Sequence, residues 1–417
     1  MSPPETPHIF NFEAAAERLK PAVLNTPLQL NASLSAKYKC KVYLKREDLQ
    51  VVRSYKIRGA YNMISQLSLK RKTAGVVCAS AGNHAQGFAW SCKSLGIKGV
   101  IFMPTPTPKQ KVNQVKMFGG EWIDLVMTGD TFDDCLKEAL DYTAENSKTF
   151  VPPFDDFRVI EGQGTVALEI LQKVENPDFI FVPVGGGGLI AGISEVARLK
   201  SPRTRIIGVE PEGAPSMVAA LKSGKPVILD AIDKFVDGAA VKKVGTHTFE
   251  LAKDRIHKMI LAPEGLVCST ILKLYNEDAI VVEPAGALSV AALELYKDHL
   301  KGKTVVCIVS GSNNDISRMQ EIMERSLLYE GLKHYFLVRF PQRAGALRHF
   351  VNNVLGPDDD ITRFEFIKKS NREAGPALVG IEMKAPADYA VLLANMKKHK
   401  VAFTEVNKHE SLFEYLI

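Results

Sequence analysis

For about 300 residues the sequence repeats one theme: an apolar run, a glycine-bearing loop, then a helical pattern. That alternation builds parallel sheets with helices on both faces and leaves few other folds open. The apolar runs fall at residues 42–44, 75–79, 100–103, 122–126, 149–151, 179–184, 205–210 and 305–310. Helical patterns follow Gly59 and the 80–87 loop, the latter to about 95, and cover 109–118, 131–145, 162–174 and 189–199, with shorter ones at 12–21 and 34–38. One core serves about 100–150 residues, so two such sheets are expected.

The end of the chain reads differently. Residues 334–340, 361–368, 377–383 and 401–406 alternate as strands, and 342–354 and 386–398 read as helices. The order βαββαβ is a ferredoxin-like module of its own. The boundary is expected near Tyr329-Glu330-Gly331, between a unit over 1–325 and one over 332–417.

Charge and cysteine usage exclude several classes. Lys and Arg number 53 against 47 Asp and Glu, a scattered excess of +6 with no basic run. Nothing there favours nucleic acid or a membrane surface. Six cysteines lie far apart with no C-x-x-C pair, as expected of reduced thiols in a cytoplasmic protein. The start, Met1-Ser2-Pro3-Pro4-Glu5, lacks a signal peptide's apolar core. The longest apolar run, 179–193, is broken by four glycines, so no membrane span is expected.

Those glycines, Gly185-Gly186-Gly187-Gly188 before Leu189, join a buried strand to a helix start. Backbone N–H groups and the helix end suit an anion, and four glycines exceed what a tight turn needs. A phosphate cradle and a plain turn are both open readings. A dinucleotide site is a third, since Gly186-x-Gly188-x-x-Ala191 fits the G-x-G-x-x-A fingerprint and Glu210 stands where a ribose-binding acid would.

Lys56 lies in Ser54-Tyr55-Lys56-Ile57-Arg58-Gly59-Ala60, crowded by Lys45, Arg46, Arg53 and Arg58. Neighbouring cations or burial beside Tyr55 lower an amine's pKa, and a neutral amine forms Schiff bases with carbonyls. The plain alternative is a solvated surface lysine. Ser80-Ala81-Gly82-Asn83-His84-Ala85-Gln86-Gly87 offers a second anion site at a helix start, suited to a carboxylate. There His84 is either a general base or a residue that shapes the loop. Ser310 ends the last buried strand, where open α/β sheets place ligands. Glu283 precedes another helix, where an acid is favoured by the dipole. A Schiff-base lysine, a phosphate cradle, a carboxylate cradle, an asparagine and a strand-end serine jointly suit pyridoxal phosphate bound to an amino acid.

These motifs, with Glu283-Pro284-Ala285-Gly286-Ala287 and Ser310-Gly311, resemble the β-eliminating pyridoxal-phosphate enzymes of fold type II, the tryptophan synthase β-like family. Within it nearly the whole chain, tail included, is similar to the short-form biosynthetic threonine dehydratases. Asn83-His84 resembles the dehydratase and racemase branch. The resemblance implies a smaller subdomain, roughly 45–150, inserted in a larger one. It implies that Lys56 holds the cofactor and removes the α-proton, and that Asn83 bonds the ring hydroxyl oxygen. Gly185, Gly186, Gly187, Gly188 and Leu189 would hold the phosphate, and Ser310 would meet the ring nitrogen as a second catalytic group. Tyr55 and Glu283 would border the cofactor, and Ser80, Ala81, Gly82, Asn83 and His84 the substrate.

The implied reaction converts L-threonine to 2-oxobutanoate and ammonia, the first committed step towards isoleucine. Serine dehydratase or serine racemase activity is the alternative within the family. A nicotinamide-dependent dehydrogenase built on the 186–191 fingerprint, and an amino-acid sensor built on the tail, are the alternatives outside it. Phe340-Pro341-Gln342-Arg343-Ala344-Gly345-Ala346-Leu347 resembles the turn and helix of a single ACT-like regulatory domain, with Ala344 where proline is common. That implies isoleucine, with valine, as effectors, and a homotetramer or homodimer. Glu210 and Ala214 resemble a cation site of some relatives only loosely. The intervening Pro211-Glu212-Gly213 departs from it, so no metal is assigned.

Overall fold

The computed structural model describes residues 8–366, 373–409 and 413. They fall into two units, Met1–Ile316 and Ser317–Ile417. Ten strands belong to the first: β1 (Leu28–Leu30), β2 (Lys41–Arg46), β3 (Val76–Ala79), β4 (Gly99–Met103), β5 (Ile123–Met127), β6 (Thr149–Phe150), β7 (Phe179–Pro183), β8 (Arg205–Pro211), β9 (Ile256–Ala262) and β10 (Thr304–Val309). The larger sheet runs β1-β2-β10-β7-β8-β9, parallel except for β1. The smaller runs β5-β4-β3-β6, all parallel. All four of its strands lie between β2 and β7 in sequence, so the chain leaves the larger sheet once and returns once. β2 and β10 are neighbours over their full length, from Lys41 beside Thr304 to Arg46 beside Val309.

Several expected element starts are moved by the structure, two of them at the lysine segment and its packing partner. The helix expected after Gly59 is Lys56–Ser65, so Lys56 is its first residue. Its first turn was hard to see because Arg58, a cation, is buried to 1 % exposure. The helix expected from 162 begins five residues earlier, as Phe157–Lys173, and Asp156 caps it by accepting from the Arg158 N–H at 2.8 Å. Its glycines do not break it, because they serve close packing. A Cβ on Gly162 would stand 2.5 Å from the Arg58 carbonyl oxygen. The sequence pattern also gave no sign of β9 or of helices Ser216–Ser223, Thr246–Ala252 and Glu264–Asp278. β9 is an edge strand with His257 and Lys258 exposed, so its apolar signal is weak.

Beneath the Lys56 helix lies a balanced set of buried charges. Arg58 donates through Nε and Nη2 to Glu47 at 2.8 Å each, and through Nη1 and Nη2 to Glu169 at 2.7 and 2.9 Å. Lys45 donates to Glu169 at 2.5 Å and to the Thr26 carbonyl at 2.8 Å. The set joins β2, the turn after it and two helices. Cys78, Cys92, Cys135, Cys268 and Cys307 are buried thiols, and Cys40 is half-buried. Among the described residues no helix is long and apolar enough to cross a membrane.

The second unit holds β11 (Lys333–Pro341), β12 (Asp360–Phe366), β13 (Ala374–Glu382) and β14 (Ala402–Glu405), with helices Ala346–Asn353 and Asp388–Lys398. The order is βαββαβ in one antiparallel sheet, β12-β13-β11-β14. Phe336, Phe350, Val379 and Met396 lie in its core. The first helix starts at Ala346 rather than 342, because Gly345 turns the chain at φ 82°. Of the strand expected at 361–368, positions 367 and 368 lie outside the described residues.

The buried charges set an expectation for stability. Burial alone would raise the Glu47 carboxyl. The Arg58 charge and hydrogen bonds, with Lys45, outweigh it and hold the group well below 4.5. A depressed carboxyl stabilises the fold above its unfolded value and loses that contribution as pH falls. Glu47→Gln is therefore expected to cost about 3–5 kcal/mol at neutral pH in urea unfolding, by leaving Arg58 undercompensated. The gap between variant and parent should close as the titration is repeated further below pH 4.5.

Candidate active site

Lys56 reaches its place through an unusual turn. Arg53 has φ 59°, a left-handed conformation costly for a residue with a Cβ. The surrounding backbone holds it there. Ser54 bridges to Gly311, the Tyr55 N–H donates to the Ser310 carbonyl at 3.2 Å, and the Ser312 N–H donates to the Arg53 carbonyl at 2.9 Å. The lysine segment is thus sewn to the segment leaving β10.

A narrow cavity opens beyond the carboxyl ends of β7 and β10, as expected for an open parallel sheet. It is lined by Tyr55, Lys56, Asn83, Pro183, Gly185, Gly238, Ala239, Glu283, Ala285 and Ser310. Six residues picked from the sequence therefore share one cavity: Tyr55, Lys56, Asn83, Gly185, Glu283 and Ser310. Lys56 Nζ donates to the Pro153 carbonyl at 3.1 Å. Burial pushes this amine down to about 8, against a smaller opposing pull from Glu283. Burial, then repulsion from Asp237, pushes Glu283 up to about 7. Burial also raises the Tyr55 phenol, so it stays protonated.

The Asn83 amide is fixed from both ends. Its Nδ2 donates to Glu283 Oε1 at 2.6 Å, and its oxygen accepts from Asn313 Nδ2 at 2.5 Å. Glu283 itself precedes helix Pro284–Tyr296 and is anchored by its own N–H to the Gly311 carbonyl at 3.2 Å. Ser310 Oγ donates to the Ala285 carbonyl at 3.2 Å.

The tetraglycine loop has a packing reason that the sequence did not disclose. A Cβ on Gly186 would strike the Phe154 ring at 2.2 Å, one on Gly185 the Ala239 backbone at 2.9 Å, and one on Gly187 the Thr248 hydroxyl at 2.8 Å. Gly187 also has φ 92°. The glycines let the loop press against these walls while its amides stay near the start of helix Gly188–Lys200. The Leu189 side chain lies in the core, so only its backbone is available to a ligand.

At the second loop, Ser80, Ala81, Gly82 and Asn83 are half-buried around the start of helix Asn83–Leu95, and Ser80 Oγ accepts from the Gly82 N–H at 3.2 Å. His84 differs from its neighbours. It is buried, and Nε2 meets the Val151 carbonyl at 2.9 Å, so that nitrogen carries the proton. Burial, then Lys56, pushes it down to about 3. A neutral, engaged ring shapes the loop and is too weak a base for proton abstraction.

Glu210 lies away from any ribose-binding role. Its carboxylate accepts from the Met217 and Val218 N–H groups at 2.6 and 3.0 Å and from the Ser216 hydroxyl at 3.2 Å, so it caps helix Ser216–Ser223. The dinucleotide reading loses its acid. Among the described residues no cluster of three or more His, Cys, Asp or Glu is placed to hold a metal ion.

Sequence reasoning missed Asn313, the Gly238–Ala239 wall and Phe154. Asn313 follows the Ser310-Gly311 motif by two residues, but nothing local marks its contact with Asn83. The other two lie in stretches without a readable pattern. The donor set as built, an amine, a glycine-lined anion cradle, an oriented amide and a hydroxyl, fits pyridoxal phosphate.

Residues 19–311 match the family described as pyridoxal-phosphate dependent enzyme, and residues 324–416 the C-terminal regulatory domain of threonine dehydratase. The chain is 59% identical over 404 residues to a Bacillus subtilis protein named L-threonine dehydratase biosynthetic IlvA, covering 97% of this chain and 96% of that one. A Halalkalibacterium halodurans protein of the same name is 57% identical, covering 97% of each. Among solved structures, the processed form of threonine deaminase isoform 2 from Solanum lycopersicum superposes with a TM-score of 0.73 at 39% identity, covering 76% of this chain and 92% of that one.

In cofactor-free protein, the lowered amine predicts that Lys56 is acylated by an amine reagent with a midpoint near pH 8 rather than 10.5. The amine is charged and inert below that value and nucleophilic above it. Peptide mapping across a pH series measures this.

Proposed function

The chain belongs to the pyridoxal-phosphate dependent enzymes and carries the regulatory domain of the threonine dehydratases, and from this premise we propose that it converts L-threonine to 2-oxobutanoate and ammonia. The observation that carries the reading is near-full-length identity of 55–59% to proteins named biosynthetic L-threonine dehydratase. The cavity uniting Lys56, Asn83, Glu283 and Ser310 supports it. The nicotinamide alternative falls with the family match and with the capping role of Glu210.

Bound pyridoxal phosphate supplies an electron sink for the pair left when the substrate Cα–H bond breaks. The residues supply the rest. Lys56 would hold the cofactor through Nζ and, once displaced by the substrate amine, take the α-proton. Its lowered pKa raises the neutral fraction of the amine near neutral pH. Asn83, oriented by Glu283 and Asn313, would donate to the ring hydroxyl oxygen. Tyr55 would wall the ring. Ser310, on turning its hydroxyl from the Ala285 carbonyl, would meet the ring nitrogen. A hydroxyl would not keep that nitrogen protonated as a carboxylic acid would, which would temper the sink and favour loss of the β-hydroxyl as water. Gly185, Gly186, Gly187, Gly188 and the Leu189 amide would hold the phosphate. Backbone amides near Ser80, Ala81, Gly82 and Asn83 would take the substrate carboxylate.

The reading extends to a cytoplasmic homo-oligomer, dimer or tetramer, whose regulatory unit binds isoleucine, with valine opposing it. Inhibition requires that isoleucine bind two states unequally, and the coupling is then reciprocal.

Purified protein given L-threonine should release 2-oxobutanoate, read with a keto-acid assay, and Lys56→Ala should reduce this to background. Substantial turnover in that variant would remove Lys56 from the mechanism. Isoleucine titrated into the same assay should lower the rate in a sigmoidal manner. A flat response would leave the regulatory unit with an assembly role only.

A further inference from the structure

One segment and one hydroxyl touch the cradle from outside the cavity. The segment is Pro153-Phe154-Asp155, which leaves the last strand of the smaller sheet. Pro153 accepts from Lys56 Nζ through its carbonyl, and the Phe154 ring fills the space a Cβ on Gly186 would need. Asp155 accepts from the Thr246 and Thr248 N–H groups at 2.9 and 3.1 Å, holding the start of helix Thr246–Ala252. A Cβ on Gly245 would stand 2.3 Å from the Asp155 carboxylate, so the approach is close.

The hydroxyl belongs to Thr248, which is fully buried. Thr248 Oγ1 lies 2.7 Å from the Gly186 carbonyl and 3.1 Å from the Gly245 carbonyl, so its single proton goes to the nearer, Gly186, and the Gly245 N–H donates to that same oxygen at 3.1 Å. Both lone pairs of that carbonyl are thereby engaged. A peptide unit is planar and trans, so pinning the Gly186 carbonyl fixes the Gly187 N–H on the opposite side, away from the Thr248 wall. Gly187, at φ 92°, has no side chain to resist rotation of this plane. The restraint comes from Thr248 and Gly245.

We infer that Thr248, itself held by Asp155, is a positioning residue for the cofactor's phosphate: it sets the peptide plane between Gly186 and Gly187 so that the cradle's N–H groups converge before the anion arrives. This rests on the pyridoxal-phosphate reading of the cavity. Thr248 acts only through the loop and meets no reacting atom. Its removal should therefore be felt by a ligand that carries a phosphate and not by one that lacks it.

The test compares pyridoxal phosphate with pyridoxal. Full-length protein is stripped of cofactor, and the dissociation constant of each is measured from the absorption change on imine formation. Thr248→Val keeps the shape and removes the hydroxyl. It should weaken pyridoxal phosphate binding about tenfold, the scale of one lost hydrogen bond, and leave pyridoxal binding within twofold. Thr248→Ser restores the hydroxyl and should recover most of the loss. Equal weakening of both ligands in Thr248→Val would overturn the inference, since packing alone would explain it. So would an equal loss in Thr248→Ser, or no loss in either variant. Parent protein that binds neither compound would overturn the cofactor reading itself, and the inference with it.

Discussion

Arg58 lies two residues beyond Lys56, almost wholly removed from solvent, with its guanidinium shared between Glu47 and Glu169. A buried cation is tolerable only when its hydrogen bonds are met, and here both carboxylates meet the fork in bidentate fashion. The arrangement is directional as well as attractive. Glu47 comes from the turn after β2 and Glu169 from the long helix Phe157–Lys173, so the guanidinium plane sets the rotation of the Lys56 helix against both. The close crossing at Gly59 and Gly162 leaves that helix little room to slide. The position of the lysine amine is thus settled from below by charge and from above by the backbone bonds to the β10 exit.

The parts of this molecule that were readable in its sequence are those whose signal is local. Strands buried on both faces give continuous apolar runs, so β3, β4, β7, β8 and β10 stood out. The antiparallel tail announced itself by alternation. Lys56, Asn83, Gly185, Glu283 and Ser310 were visible because loops at strand ends carry chemistry in such sheets. Thr248 and Asn313 were not, because each works by touching something distant: Thr248 meets Gly186 across 62 residues, and Asn313 meets Asn83 across 230. A threonine inside a short helix has no local mark of that duty. At His84 residue type alone leaves a base and a loop-shaping residue equally open, and its burial and bond to Val151 favour the second.

The sequence suggests ligand approach as the reason for the tetraglycine loop, on its inner face. Phe154, Ala239 and Thr248 explain the absence of side chains on the outer face. Small residues in such a loop therefore answer to two surfaces at once, and an alanine there would be resisted by protein atoms whether or not a ligand is bound.

The adjacency of β2 and β10 has a consequence for how the chain is made. A ribosome delivers β2 early, yet its inner partner β10 emerges last of the larger sheet's strands, and the Ser312 hydroxyl meets the Asp48 carbonyl across 264 residues. Until that late strand appears, the central sheet is open along a buried edge and the lysine turn lacks the backbone that holds it. The nascent catalytic unit therefore spends most of its synthesis as an incomplete sheet, the kind of species that chaperones retain. A premature stop anywhere before residue 310 would not give a weaker enzyme. It would give a chain with an exposed edge and no site, destined for aggregation or proteolysis.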